Sequence, residues 1–167
     1  MYARPGMAVE VFQDVAFGER GDVHLTVWKG RASPEVVRRA FDTAQLLIDR
    51  QPDGIVIFQI VPSSSTPPNA EGRAVATRGF QRIRPQLRRL VTVALGDAFW
   101  MSIVRTVMRG AGMLNGMYGI QAIEATEARG LLRVREKASP ATPSQTELQA
   151  GIAELYAALD VEREMRV

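Results

Sequence analysis

A chain of 167 residues with 46% hydrophobic and 23% charged residues has the size and composition of one globular domain. It contains no cysteine and a single histidine, His24, which excludes disulfides, thiolate nucleophiles and metal sites built from several cysteines or histidines. The formal net charge of +3 is carried mainly by arginine, and a basic balance alone is weak evidence for a nucleic-acid partner.

Alternating apolar and polar residues at the start of the chain predict an antiparallel hairpin. Its first predicted strand covers residues 9–17, whose odd-numbered positions are apolar on either side of Gln13. After a glycine-containing turn, residues 23–28 alternate in the same way. His24 points away from its apolar neighbours, so we expect it on the solvent side of the second strand.

Helix and strand signals alternate after the hairpin. The sequence Ser33-Pro34-Glu35 predicts a helix start, because serine caps free N–H groups, proline fits the first turn and glutamate meets the positive end of the helix dipole. The apolar run IVIFQIV at residues 55–61 predicts a central strand that is covered on both faces. The next predicted elements are a helix over 70–87 and a buried strand over 90–95. A helix then follows Gly96-Asp97 and is expected to break into a loop at Gly110, Gly112 and Gly116. The last two elements before the linker are a strand over 118–122 and a short helix from Thr126.

The chain divides into three predicted parts. An α/β domain over residues 1–137 is followed by a proline-containing linker over 138–143 and a C-terminal helix over 144–167, which Ser144 and Glu147 open as a capping box. The predicted fold is a mixed sheet of four to five strands with helices packed on it. Its element order is ββαβαβαβα plus the C-terminal helix.

This element order resembles that of STAS domains, the fold of anti-sigma-factor antagonists, and of the related SpoIIAA-like fold. The likeness extends over residues 9–136 and includes a buried strand that ends in a serine-bearing loop. In that family the loop carries Asp-Ser-Ser-Gly or Asp-Ser-Thr-Gly, and its hydroxyl is phosphorylated by a kinase partner. Here the loop reads PSSSTPP from Pro62, without the aspartate and the closing glycine. The resemblance implies a bacterial regulatory module that binds another protein.

The loop after the central strand is the first candidate site. Ser63, Ser64, Ser65 and Thr66 offer hydroxyls at the carboxyl end of a strand, where ligands of open α/β sheets collect, and Arg73 follows on the next helix. We therefore consider this loop a candidate phosphorylation or anion site. The alternative is a polar loop stiffened by prolines.

A second candidate site is an apolar, methionine-rich stretch. Soft, adaptable side chains of this kind are common at partner surfaces. Its residues are Trp100, Met101, Met113, Leu114 and Met117. They are a candidate interface, either with another protein or in a homodimer, and core packing is the alternative.

An arginine-rich face is the third feature, and it includes Arg73, Arg78, Arg82, Arg84, Arg88 and Arg89. A protein that binds the phosphate backbone of a nucleic acid needs such a cluster of positive charges. Aromatic residues for stacking or a groove-reading helix are missing around it, so a solvated helix surface is favoured and no nucleic-acid partner is expected.

No glycine-rich nucleotide fingerprint occurs, and we expect no catalytic residues, no metal and no cofactor. No run reaches the roughly 18 apolar residues of a membrane span, and residues 1–6 form no hydrophobic signal core, so a cytoplasmic protein is expected. The leading hypothesis is a non-enzymatic regulatory or protein-interaction module, gated at the loop of Ser63 to Thr66. The alternative is a small-molecule or lipid-binding module with an apolar pocket, which an enclosed cavity would favour.

Overall fold

The computed structural model describes residues 6–160, apart from the side chain of Leu114, and within this part the chain forms six strands and five α-helices. The strands are β1 (Val9–Phe12), β2 (Val15–Arg20), β3 (Val23–Trp28), β4 (Ile55–Pro62), β5 (Leu87–Leu95) and β6 (Gln121–Glu124), and the helices are α1 (Pro34–Ile48), α2 (Ala70–Ile83), α3 (Ala98–Leu114), α4 (Glu127–Arg135) and α5 (Gln145–Leu159). The ends of the predicted parts at residues 1–5 and 161–167 lie outside the described residues.

The six strands form one mixed sheet in which spatial order follows chain order, from β1 to β6. The first three strands are antiparallel to one another, and β3 to β6 run parallel. Because the parallel strands advance in one direction, right-handed crossovers place α1, α2 and α3 on one face of the sheet. The other face is covered by α4 and α5. The α/β class and the mixed sheet are thus confirmed.

The predicted strand count of four to five is wrong, because residues 9–17 form two strands. The chain turns at Gln13, whose φ is 51°, and Phe12 of β1 pairs directly with Val15 of β2. The paired residues Phe12 and Val15 share one face of the sheet, so the odd-numbered apolar positions change face at the turn while the apolar–polar alternation of the sequence continues through it. Periodicity alone therefore could not reveal this hairpin.

The predicted break at Gly110 and Gly112 is also wrong, since α3 continues through both residues to Leu114. Gly112 packs against the side chain of Gln121, which a Cβ at this position would strike. The helix ends at Asn115, and the following turn uses positive φ angles at Gly116 and Gly119. Glycine lowers helix propensity by about 1 kcal/mol, and tertiary contacts override that cost here.

The C-terminal helix α5 belongs to the same core as the sheet. Its side chains Leu148, Ile152 and Leu155 are fully buried against the face of β2 and β3 that points away from α1. Gly151 allows this close approach, because a Cβ there would lie 2.9 Å from Cδ1 of Leu25. The predicted capping box is confirmed at Ser144.

A buried acidic side chain fixes the segment between α4 and α5. One carboxylate oxygen of Asp22, Oδ2, accepts hydrogen bonds from Arg88 Nη2 at 2.5 Å, from Ser139 Oγ at 2.6 Å and from Thr142 Oγ1 at 3.0 Å. We call these four residues the Asp22 clamp. It ties the predicted linker to the strand ends of β3 and β5.

Over residues 6–160, none of the helices has the length and apolar character that crossing a membrane requires. The amphipathic helices α1 and α4 bury apolar side chains on the sheet, and α2 packs mainly on α1.

Candidate functional site

A cavity of about 370 Å³ lies between the sheet and the layer of α1, α2 and α3, and we call it the helix-layer pocket. It exists because α2 packs mainly against α1 rather than against the strands. At one end, Phe41 and Phe80 meet edge to face with ring centroids 4.8 Å apart, beside the buried side chains of Ile57 and Leu90. The lining is predominantly aliphatic and aromatic.

The other end of the helix-layer pocket lies beside the loop that follows β4. Ser65 is buried in this loop and donates a hydrogen bond from Oγ to the Trp28 carbonyl at 3.3 Å. Thr66 pairs with the backbone at Arg31, and Trp100 of α3 donates from Nε1 to the Val61 carbonyl at 3.3 Å. These bonds hold the loop and the start of α3 at the carboxyl ends of β3 and β4.

Two polar side chains of the sheet, Thr26 and Gln59, line the floor of this apolar pocket, and Thr92 lies next to Gln59 outside the lining. Thr26, Gln59 and Thr92 occupy paired positions on β3, β4 and β5, so they lie side by side on one face of the sheet. The Gln59 amide accepts from Trp28 Nε1 at 3.3 Å and donates to Thr92 Oγ1 at 2.8 Å. We call Thr26, Gln59 and Thr92 the polar row. Polar groups in such a position lower stability unless they are hydrogen-bonded.

His24 lies beside the polar row and is buried, so the expectation of a solvent-facing histidine is wrong. It does point away from Val23 and Leu25, but α1 covers that face of the sheet. Its Nε2 contacts Thr43 Oγ1 at 2.8 Å, and Thr43 gives its own proton to the Ala40 carbonyl. Nε2 must therefore carry the hydrogen, and Nδ1 accepts from the Thr26 hydroxyl at 3.3 Å.

Burial lowers the pKa of His24 from 6.5 to about 4, although the Glu19 carboxylate opposes the shift. Between these two values the unfolded chain binds a proton that the folded chain does not bind, so stability falls as the pH falls. We expect the free energy of unfolding to drop by about 2 kcal/mol from pH 7.5 to pH 5. Urea unfolding at a series of pH values measures this.

His24 is the single histidine in the chain, so a His24→Gln variant provides the control. Most carboxylates titrate below pH 5. The His24→Gln variant is therefore expected to lose most of the change in the free energy of unfolding between pH 7.5 and pH 5. An equal loss of stability in wild type and variant would show that His24 is not the group responsible.

The candidate phosphorylation or anion loop lies beside the pocket. Ser63, Ser64 and Thr66 are exposed, whereas Ser65 is buried and bound to the backbone. Arg73 lines the pocket as well, and its Nη1 donates to the Pro68 carbonyl at 3.0 Å. The structure therefore brings the loop and Arg73 together around the pocket.

The candidate interface residues are separated by the fold. Trp100 lines the pocket and Met101 is half-buried, while Met113 is 80% exposed. Met117 has no accessible surface and packs in the core with Phe80, so it does not lie at a surface where a partner could bind. Leu114 is the last residue of α3, and its side chain is outside the described part.

Five of the six arginines of the predicted arginine-rich face bind within the chain, and one of them is Arg73, which donates to the Pro68 carbonyl. Arg82 pairs with Asp42, Arg84 donates to the Gly116 carbonyl, Arg88 belongs to the Asp22 clamp and Arg89 pairs with Glu136. A solvated helix surface fits the exposed Arg73, Arg78 and Arg82 of α2. It does not fit Arg88 and Arg89, which lie on β5, and Arg89 is buried.

Sequence reasoning missed the polar row. A signal was present, because Gln59 interrupts the apolar run of β4 and Thr92 interrupts that of β5. Strand register was needed to see that the two positions are neighbours. Across the described part of the chain, no group of three or more histidine, aspartate or glutamate side chains is arranged to hold a metal ion.

Comparisons of the chain with protein-family models, with curated proteins and with solved structures found no match. Function has to be inferred from the geometry and chemistry of the site.

Proposed function

We propose that this protein binds an apolar small molecule in the helix-layer pocket. The observation that carries the proposal is a cavity of about 370 Å³ in the middle of the fold, with an aliphatic and aromatic lining and a few polar groups on its floor. Small-molecule sites are concave, mostly apolar and about 300–1,000 Å³ in volume. The pocket is at the lower end of that range, which favours a small ligand.

The packing around the pocket supports this interpretation. The pocket is partly open to solvent, and an apolar cleft of this size on a protein surface is typical of a ligand-binding site. Leu47 and Ile83 are buried on the same face of the sheet, outside the pocket lining. The pocket extends along the sheet to the carboxyl ends of β3 and β4, where ligands of open α/β sheets bind.

Filling the pocket from α2 is expected to block binding. Ala76 lines the cavity, and an Ala76→Phe substitution places a ring in the space that the ligand would occupy. We expect at least a tenfold rise in the dissociation constant for Nile red, an uncharged apolar dye, which is about 1.4 kcal/mol. Dye fluorescence during titration with the protein measures this.

Ala74→Phe is the matched control, because Ala74 lies on the same helix and is exposed. It is expected to bind the dye like the wild type. Thermal unfolding of both variants shows whether each is folded, so that a loss of dye binding can be attributed to the filled pocket. Unchanged binding by a folded Ala76→Phe variant, or no binding by the wild type, would contradict the proposal.

A regulatory or protein-interaction module with a STAS-like fold stays a prediction and is the second candidate. The observation that favours it is the exposure of large apolar side chains on α3 and the turn after it, with Phe99 75%, Met113 80% and Tyr118 95% exposed. Ser63, Ser64 and Thr66 are exposed residues, as phosphorylation by a kinase partner would require.

A further inference from the structure

We propose that the ligand carries an uncharged group that both donates and accepts hydrogen bonds, such as an amide or an alcohol, and that this group binds Thr26 and Gln59 on the pocket floor. The inference rests on the proposed function and specifies the chemistry of the ligand. Its apolar body would lie against the aliphatic and aromatic lining formed by α1, α2 and α3.

Thr26 supplies an acceptor. Its hydroxyl proton is directed to His24 Nδ1, because Nε2 of the same ring carries the hydrogen that Thr43 accepts. A hydroxyl oxygen has two lone pairs and keeps them when its proton is donated. Thr26 lines the pocket, so its oxygen can accept a hydrogen bond from a bound molecule.

Gln59 supplies a donor. Trp28 Nε1 can only donate, so the Gln59 atom that it contacts must be Oε1, and this fixes the orientation of the amide. One Nε2 hydrogen is then directed to Thr92 Oγ1 at 2.8 Å. Nε2 also contacts Met108 Sδ at 3.8 Å, and a thioether is a weak acceptor. A ligand oxygen is a better partner for Gln59 than this sulfur.

The two groups are neighbours. Thr26 and Gln59 are paired in the register of β3 and β4, and adjacent strands lie about 4.8 Å apart. A donor and an acceptor on neighbouring atoms of one ligand group can reach both. An amide has this arrangement, and an alcohol combines both roles on one oxygen.

The pocket floor is unsuitable for a charge. The buried His24 ring is neutral at pH 7, since its pKa is about 4. Among the described lining residues, Arg73 is the permanently charged one. It lies on the first turn of α2, where it is exposed and donates a hydrogen bond to the Pro68 carbonyl. A carboxylate or ammonium group at Thr26 and Gln59 would lose its hydration without gaining a counter-charge.

The inference is tested by competition between four ligands that share a ten-carbon chain and differ in their polar group. Decanamide, decan-1-ol, decanoate and decyltrimethylammonium are each used at pH 7.5 to displace Nile red, below the concentrations at which they form micelles. The amide and the alcohol are expected to bind at least about tenfold more tightly than the two ions. An equal affinity for all four, or the tightest binding by decanoate, would overturn the proposed chemistry.

Two variants and a control test whether the polar group of the ligand binds at Thr26 and Gln59. Thr26→Val and Gln59→Met keep the side-chain size and remove the acceptor or the donor, and each is expected to reduce the preference for decanamide over decanoate about three- to tenfold. Thr77→Val is the control, because it makes the same change at a half-buried residue of α2 that neither lines this pocket nor belongs to the His24 hydrogen-bond chain. It should leave the preference unchanged. Thermal unfolding verifies that each variant is folded.

The outcomes separate the inference from the function on which it rests. If the wild type fails to bind Nile red, the proposed function fails. If Nile red binds but the preference for decanamide is unaffected in folded Thr26→Val and Gln59→Met variants, the pocket is a ligand site and the assignment of its floor is wrong. If decanoate binds best and Arg73→Gln abolishes that advantage, the polar group lies at Arg73 instead.

Discussion

Replacing Asp22 with alanine is expected to lower the free energy of unfolding by about 3 kcal/mol. The carboxylate is 1% exposed and holds Arg88, Ser139 and Thr142 together, so its removal leaves a guanidinium and two hydroxyls without their acceptor. Breaking a buried ion pair by removing one partner costs about 3–5 kcal/mol. We expect the lower end, because the Arg88 side chain is 21% exposed and water can solvate part of its charge.

Chemical denaturation of the wild type and three variants measures the effect. Asp22→Asn keeps the shape and one acceptor, so a smaller loss of about 1–2 kcal/mol is expected. Asp53→Ala is the control, because Asp53 is exposed and meets Arg88 through its backbone carbonyl, which the substitution retains. Equal stability of Asp22→Ala and Asp53→Ala would mean that the Asp22 clamp contributes little.

Ending the chain at residue 143 is expected to have the largest effect, namely loss of the folded state. The deletion removes the buried side chains of α5, which are Leu148, Ile152, Leu155, Tyr156 and Leu159. At about 1.5–3 kcal/mol for each buried side chain, their contribution is on the order of 10 kcal/mol. A domain is stable by only about 5–15 kcal/mol in total. Circular dichroism and amide proton dispersion in NMR spectra would show the loss.

A point substitution in the full chain provides a graded version of this experiment. Ile152→Ala is expected to cost about 2–5 kcal/mol, whereas Gln149→Ala on the exposed side of α5 should change stability by less than about 0.5 kcal/mol. A folded truncated chain together with a stable Ile152→Ala variant would show that the sheet does not depend on α5.

The helix starts were predictable because their signals lie within a few residues. Ser33 caps α1 and accepts from the Val36 N–H, and Asp97 caps α3 in the same way through the Trp100 N–H. Ser144 and Glu147 form the capping box of α5. Each of these bonds joins residues three positions apart, so a short stretch of sequence contains the whole interaction.

The candidate site was less predictable because it is assembled from distant segments. Gln59 looks like a minor interruption of an apolar run until the register places it beside Thr26 and Thr92. His24 has the alternation of a surface strand, and only the packing of α1 shows that its side of the sheet is covered. Alternation identifies the two faces of a strand but does not reveal what covers each of them.

The contact between the first strands and the last helix has a consequence for synthesis on the ribosome. Arg20 of β2 pairs with Glu154 of α5 at 2.5 Å, although 134 positions separate them in the chain. Chains emerge at about 5–20 residues per second, so roughly 7–27 s pass between the appearance of these two residues. During that interval the apolar face of β2 and β3 has no cover from its own chain. This face of the nascent chain is therefore open to aggregation, and available to chaperones, until α5 has been made.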